Sequence, residues 1–256
     1  MNPTVTTARH HLFALGMALL LSTASASVFA GSWFGGDTVK GNGIVRKQDR
    51  PLAHFAAIEL SLPAQVEVRI GATESVTIEA DENILPLVDT RIEDGALQLR
   101  TTKRNVNLEP GTLKIIVNAK EIRALAVGGS GNMTVPALRS PKLDLAIGGS
   151  GSIDVKQLQS DRVEAAIGGS GNVKVGGTAR KFSVTIGGSG DVQARELKAD
   201  EVEVSIGGSG SATLWPVSML RTSIAGSGDV KYYGDPVTKS TIVGSGSVKR
   251  MGAAPN

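Results

Sequence analysis

The chain has no cysteine, three histidines and nine aromatic residues among its 256, and each shortage closes off chemistry. Without cysteine there is no disulfide framework, no thiolate zinc site, no haem attachment through thioethers and no thiol nucleophile. Two of the histidines, His10 and His11, fall in a segment read below as a removable leader, so His54 is the one imidazole of the mature chain. A His-based triad has little to draw on. With so few aromatics, the core has to be built from Val, Ile, Leu and Ala. Nor is there a run of 18 apolar residues after the leader, so the mature chain has no candidate membrane-spanning helix.

Charge is scarce in another sense. The formal net is +3, and the basic residues stand singly or in pairs such as Arg46-Lys47, Lys103-Arg104, Arg180-Lys181 and Lys249-Arg250. That scatter lacks the basic stripe of a nucleic-acid binder, so no nucleic-acid partner is expected.

Residues 1–30 have the grammar of a signal peptide. Arg9-His10-His11 precedes the apolar stretch Leu12 to Leu21, and small residues follow it. Cleavage is expected after Ala26 or Ala30, with Ala30 favoured, which would send the chain to the periplasm, cell surface or medium. Neither site carries a cysteine for lipid anchoring. Residues 31–43 form a Gly-rich lead-in, and 251–256 a short tail.

What the chain has in excess is glycine, 32 residues against an average of roughly 7 %. Most of it recurs in one turn: Gly128-Gly129-Ser130-Gly131, then the same four residues at 148–151, 168–171, 187–190 and 207–210. Shorter copies follow at Gly226-Ser227-Gly228 and Gly244-Ser245-Gly246. The central serines are spaced 20, 20, 19, 20, 18 and 18 residues apart, and the seven turns take 19 of the 32 glycines. A fixed period of this length is the signature of a solenoid.

Period-two alternation flanks every turn, as in Leu143-Asp144-Leu145-Ala146-Ile147 before it and Ser152-Ile153-Asp154-Val155 after it. That pattern predicts two short strands per repeat. One apolar column precedes the turn (Val127, Ile147, Ile167, Ile186, Ile206, Ile224, Ile242) and another follows it (Met133, Ile153, Val173, Val192, Ala212, Val230, Val248). A strand pair this small cannot bury its apolar side alone, so repeats must stack at roughly 4.8 Å. The predicted fold is all-β: a parallel β-helix of seven regular coils over 125–250, preceded by irregular β coils over 44–124. Residues 44–250 are read as one domain.

Parity across the turn places Gly149 and Gly151 inward and Ser150 outward. The glycines either take positive φ or fit a corner too crowded for a Cβ. The candidate surface ladder is Ser130, Ser150, Ser170, Ser189, Ser209, Ser227 and Ser245, beside a second outward column of Asn132, Ser152, Asn172, Asp191, Ser211, Asp229 and Ser247. Hydrogen bonding along these columns is their expected structural role.

Several chemistries fail on spacing. No Lys-Ser or Lys-Thr follows the glycines as a phosphate loop needs, and Ser130-Gly131-Asn132 is not a nucleophile elbow. The calcium nonapeptide repeat needs an Asp where this chain has Ile153 or Val192, and a period of nine. No metal or cofactor is expected. Because β-helices also carry glycan-cleaving enzymes, an envelope polysaccharide lyase or hydrolase using Asp191 and Asp229 is the alternative function. Its adjacent-acid and aromatic-platform signals are missing. Strands of about five residues without aromatic girdles also fall short of the roughly 9–11 of a membrane barrel. Trp215-Pro216 and Tyr232-Tyr233 are expected to cover the C-terminal end of the solenoid, and His54 to be a strand-edge residue.

The stretch Arg46 through Phe55-Ala56-Ala57-Ile58, then Val66-Glu67-Val68, Asp81-Glu82-Asn83-Ile84-Leu85, Gly95-Ala96-Leu97-Gln98-Leu99 and the repeated Gly-Ser-Gly turns resemble the family named putative auto-transporter adhesin, head GIN domain. The resemblance spans about residues 44–250. It implies a right-handed β-helix in a bacterial cell envelope and no catalytic residues. With no translocator barrel after Asn256, the chain is expected not to export itself. Together these readings predict an exported, non-enzymatic, adhesin-like or structural envelope protein with an unidentified protein or glycan partner.

Overall fold

The computed structural model describes residues 37–103 and 105–255. The expected signal peptide and its cleavage sites lie outside the described residues.

Nine short strands and one 3-10 turn come first. They are β1 (Asp37–Lys40), β2 (Val45–Pro51), β3 (Ala57–Leu60), β4 (Gln65–Ile70) and β5 (Ser75–Asp81). A 3-10 turn at Leu85–Leu87 leads into β6 (Val88–Glu93), β7 (Ala96–Thr101), β8 (Val106–Glu109) and β9 (Leu113–Ala119). The repeats supply β10 (Ala124–Val127), β11 (Asn132–Arg139) and β12 (Lys142–Ile147), then β13 (Ser152–Ile167), β14 (Asn172–Ile186), β15 (Asp191–Ile206) and β16 (Ser211–Gly226). The last coil is β17 (Asp229–Tyr233), β18 (Val237–Gly244) and β19 (Ser247–Gly252).

Among β10 to β19 every pairing is parallel and joins residues one repeat apart, such as Ile147↔Ile167↔Ile186↔Ile206↔Ile224↔Ile242. The fold is a β-solenoid. Seven turns bound six complete coils, one fewer than expected, because β19 ends without closing another. The two short strands expected per repeat are fused in the central coils. There, strands of 15 or 16 residues bend from one side of the solenoid to the next. The ladder absorbs the bends as register shifts, between Val155 and Leu158 for example. Gly177 takes φ +118° at one such corner, pressed against the Leu158 backbone.

The Gly turns are stacked backbone on backbone. The Ser150 N–H donates to the Gly129 carbonyl and the Ser152 N–H to the Gly131 carbonyl, each at 3.1 Å, and the same bonds recur in later coils. A Cβ on Gly151 would overlap the Gly131 carbonyl oxygen and come within 2.6 Å of Val127 Cγ1, while one on Gly148 meets nothing within 4 Å. Crowding, rather than positive φ, is therefore what the five four-residue turns require. In the two shorter copies Gly226 and Gly244 need both, at φ +141° and +128°.

Both apolar columns face the interior. From Val127 to Ile224 and from Met133 to Val230 their members are at most 2 % exposed, each contributing roughly 1.5–3 kcal/mol through burial. Of the few aromatics, Phe55 and Phe182 are fully enclosed.

The N-terminal region departs from the expected run of wide coils. β3 pairs with β10 on one side and β7 on the other, and β4 likewise lies between β11 and β9. The chain lays down residues 57–67 first, adds β7 and β9 beneath them, then crosses to the opposite side to begin the regular stack. Antiparallel strands close that end: β5 beside β9 and β2, and β6 beside β7. Residues 37–40 of the lead-in join β8 in a separate parallel pair. Asp81, 1 % exposed, ties the region together by accepting N–H bonds from Gly43 (2.9 Å), Gly111 (2.8 Å) and Thr112 (3.0 Å). These donors, Thr112 foremost, hold its carboxyl below the usual range against the opposing effect of burial.

Candidate functional surface

The seven ladder serines all stand exposed at the Gly turns that precede β11, β13, β14, β15, β16, β17 and β19. The N–H groups of six of them, Ser150 to Ser245, are used in the backbone ladder, from Ser150 to Gly129 through Ser245 to Gly226. Among the described residues none of the seven hydroxyls has a protein partner. The neighbouring column differs, because its side chains bond one another along the axis. Ser152 Oγ donates to Asn132 Oδ1 (2.7 Å), Ser211 Oγ to Asp191 Oδ1 (2.5 Å) and Ser247 Oγ to Asp229 Oδ1 (2.6 Å). In each bond the serine reaches back to the preceding coil. The inner column is thus knitted into the scaffold, and the outer one presents unengaged hydroxyls.

Two residues further along each strand a third outward column runs Thr134, Asp154, Lys174, Gln193, Thr213, Lys231, Lys249. Strand geometry fixes the lattice: rungs roughly 4.8 Å apart along the axis and columns roughly 6.7 Å apart across it. Toward the C-terminal coils this face is hollowed into an open groove of about 550 Å³ lined by Lys174, Val175, Asp191, Gln193, Arg195, Glu196, Ser211, Thr213, Lys231, Tyr233 and Met251. The Arg195 guanidinium lies over the Tyr233 ring, 5.7 Å from its centroid. Among the described residues Lys174, Arg195 and Lys231 join no ion pair.

A second groove, of about 450 Å³, follows the corner where the long strands bend. Ser140, Ser160 and Ala179 lie along it, between Arg139, Gln159 and Lys198 on one side and Asp161, Arg180 and Asp200 on the other. The buried Ser140 and Ser160 hydroxyls donate to the Lys142 and Arg162 carbonyls (2.7 and 2.9 Å), which locks the bend. Neither groove was foreseen from sequence. The first follows from the outward columns already identified; the second arises at a corner that leaves no repeated motif.

The two acids of the glycan-cleaving alternative do not converge. Asp191 and Asp229 sit two coils apart in one column with Ser211 between them, and only Asp191 lines the groove. His54 is in the loop before β3 rather than on a strand edge; its Nδ1–H donates to Glu74 Oε1 (2.6 Å). Burial raises the Glu74 carboxyl, but the bonds from His54 and Lys120 outweigh it and hold that group below its usual range. Nor do Trp215 and Tyr232 cover the end of the solenoid, since β18 and β19 stack beyond them. Tyr232 packs partly buried against the core instead.

These features define a β-solenoid whose filled core supports polar columns at the coil spacing. The family model described as "Putative auto-transporter adhesin, head GIN domain" matches residues 54–236, and the chain belongs to that family. Similar solved structures include "a putative adhesin" from Bacteroides fragilis, 23 % identical with a TM-score of 0.79, covering 83 % of this chain and 100 % of that one. A "putative lipid binding protein" from Parabacteroides distasonis is 25 % identical at TM-score 0.70, covering 84 % and 100 %. "A putative adhesin" from Parabacteroides merdae is 24 % identical at TM-score 0.68, covering 84 % and 99 %. No curated protein matches the chain.

Proposed function

We infer that this protein is an exported, non-enzymatic binding module that holds an extended polar polymer, such as a glycan strand, against the lattice of its side face. The observation that carries the reading is the column of seven exposed serine hydroxyls without protein partners, set beside a groove with three unpaired cations. A stacked-coil scaffold presents such groups in register, so a ligand with its own repeat can bond to several rungs at once. Weak hydrogen bonds then add without a deep pocket. The signal-peptide grammar expected over 1–30 supports a place in the envelope. Among the described residues no helix is long and apolar enough to cross a membrane.

The name of the Parabacteroides distasonis structure raises lipid as a ligand. Among the described residues the inward columns are buried apolar side chains, and the unengaged polar groups lie on the outward face. Binding on the outside face remains the reading.

The test is capture from bacterial envelope extract and binding to a glycan array, comparing wild type with Ser170→Ala/Ser189→Ala/Ser209→Ala, which removes the hydroxyls without stacking like charges. Loss of the captured ligand with an unchanged thermal melt is expected. Equal capture by both proteins, or glycan turnover abolished by Asp191→Asn, would overturn it.

A further inference from the structure

The two ends of the solenoid are finished differently. At the N-terminal end the outermost strands are β2 and β6, each paired on one side. β2 carries Arg46, Lys47, Asp49 and Arg50 and ends in Pro51, and β6 carries Asp89, Arg91 and Glu93. Charges and proline of this kind blunt a sheet edge against further pairing. At the other end, among the described residues, β18 pairs only with β16, and β19 only with β17. All eight residues of β18 are exposed, and its one charge is Lys239. Val237, Ile242, Val243 and Met251, at 61, 40, 69 and 45 % exposure, gather in this last coil. Among the described residues no polar cap closes it, as a terminal repeat ordinarily would.

Charge separates along the same axis. From Met219 onward there are five cations (Arg221, Lys231, Lys239, Lys249, Arg250) against two carboxylates (Asp229, Asp235). A second copy docked by its own C-terminal end would bring like charges together, and the charged, proline-ended edges β2 and β6 oppose docking of its N-terminal end. A lipid surface fits poorly too, because hydrocarbon cannot satisfy the free N–H and C=O groups of an open strand edge. An extended chain with acidic outward residues satisfies both the edge and the charge.

We propose that the C-terminal edge, chiefly β18, is a docking site for an acidic β-strand of a partner protein, which adds the next rung of the solenoid. The chain contains a template for such a strand. Residues 199–207 (Ala-Asp-Glu-Val-Glu-Val-Ser-Ile-Gly) form the rung two below β18, in register through β16. Laid on β18 in that register, a copy sets Val202, Val204 and Ile206 over Thr238, Ser240 and Ile242, and Glu203 beside Lys239. This site is separate from the side face, so either reading can fail without the other.

The probe is the synthetic 199–207 peptide added to the protein, read by fluorescence anisotropy and by amide exchange over 237–244. Saturable binding with new protection in β18 is expected. Lys239→Glu should weaken it roughly fivefold to tenfold, and a peptide with Glu203→Lys should restore binding to that variant. The proposal is overturned by binding indifferent to both charge reversals, by protection confined to other strands, or by no binding. It is equally overturned if the free protein dimerises through β18, or if anionic vesicles, and not the peptide, protect that strand.

Discussion

Replacing glycine at different places in one turn should produce opposite results, and the size of the difference follows from the stacking. In Gly151→Ala the new methyl overlaps the Gly131 carbonyl and crowds Val127 Cγ1 at 2.6 Å. The turn must lift from the coil below, which strains or breaks the Ser152 N–H bond to Gly131. Overpacking costs roughly 1–3 kcal/mol and each lost ladder bond about 0.5–1.5 kcal/mol. The sum is roughly 2–4 kcal/mol, a substantial part of the 5–15 kcal/mol typical of a folded domain. For a domain of this size that is a fall in Tm of roughly 4–16 °C. Gly148→Ala, with nothing within 4 Å of the added carbon, and Ser150→Val, whose hydroxyl has no protein partner, should each stay within about 0.5 kcal/mol. Thermal melts followed by circular dichroism decide it. Equal melting temperatures for Gly151→Ala and Gly148→Ala would refute the claim that stacked backbone, rather than local turn conformation, requires the glycine.

Asp81 makes stability pH-dependent: its carboxyl is held below the usual range in the folded state, so its contribution is present above about pH 4 and is lost as pH falls through the folded value. Asp81→Asn should flatten that part of an acid titration of stability, measured by denaturant midpoints between pH 6 and pH 2. Ser211→Ala removes the bond to Asp191 and should cost about 1 kcal/mol, while a double-mutant cycle with Asp191→Ala should recover most of it as coupling. Ile206→Ala should cost roughly 2–5 kcal/mol, and Ile242→Ala, in the same column but 40 % exposed, well under half as much; equal losses would mean that the last coil is covered.

How much of this was visible in the sequence depends on how local the signal is. The inward columns from Val127 and Met133 and the outward serines follow from alternation around a repeated turn, since residues one repeat apart must lie over one another. The N-terminal stacking order was not visible. Alternation marks β5 as a strand, yet its partners β2 and β9 lie far along the chain and run antiparallel to it. The fused long strands escaped notice because the corner residues carry no common motif; Gly177 marks one bend that its neighbours make without glycine. The aromatic pairs misled because Trp215 and Tyr232 stand late in the chain without being last in the stack. In the candidate surface, the serine column was legible, and the groove at Arg195 and Tyr233 was not, because it needs side chains from successive coils.

The central claim is that the Gly-Ser-Gly turns belong to one continuous backbone ladder, which engages the serine N–H groups and leaves their hydroxyls for a ligand. Amide hydrogen exchange at Ser150, Ser170, Ser189 and Ser209 tests it directly. Although these residues are exposed and flanked by glycine, their N–H groups should be protected nearly as well as those of Ile153, Val173 and Val192 in the adjoining strands. Exchange at the rate of an open loop would contradict the account.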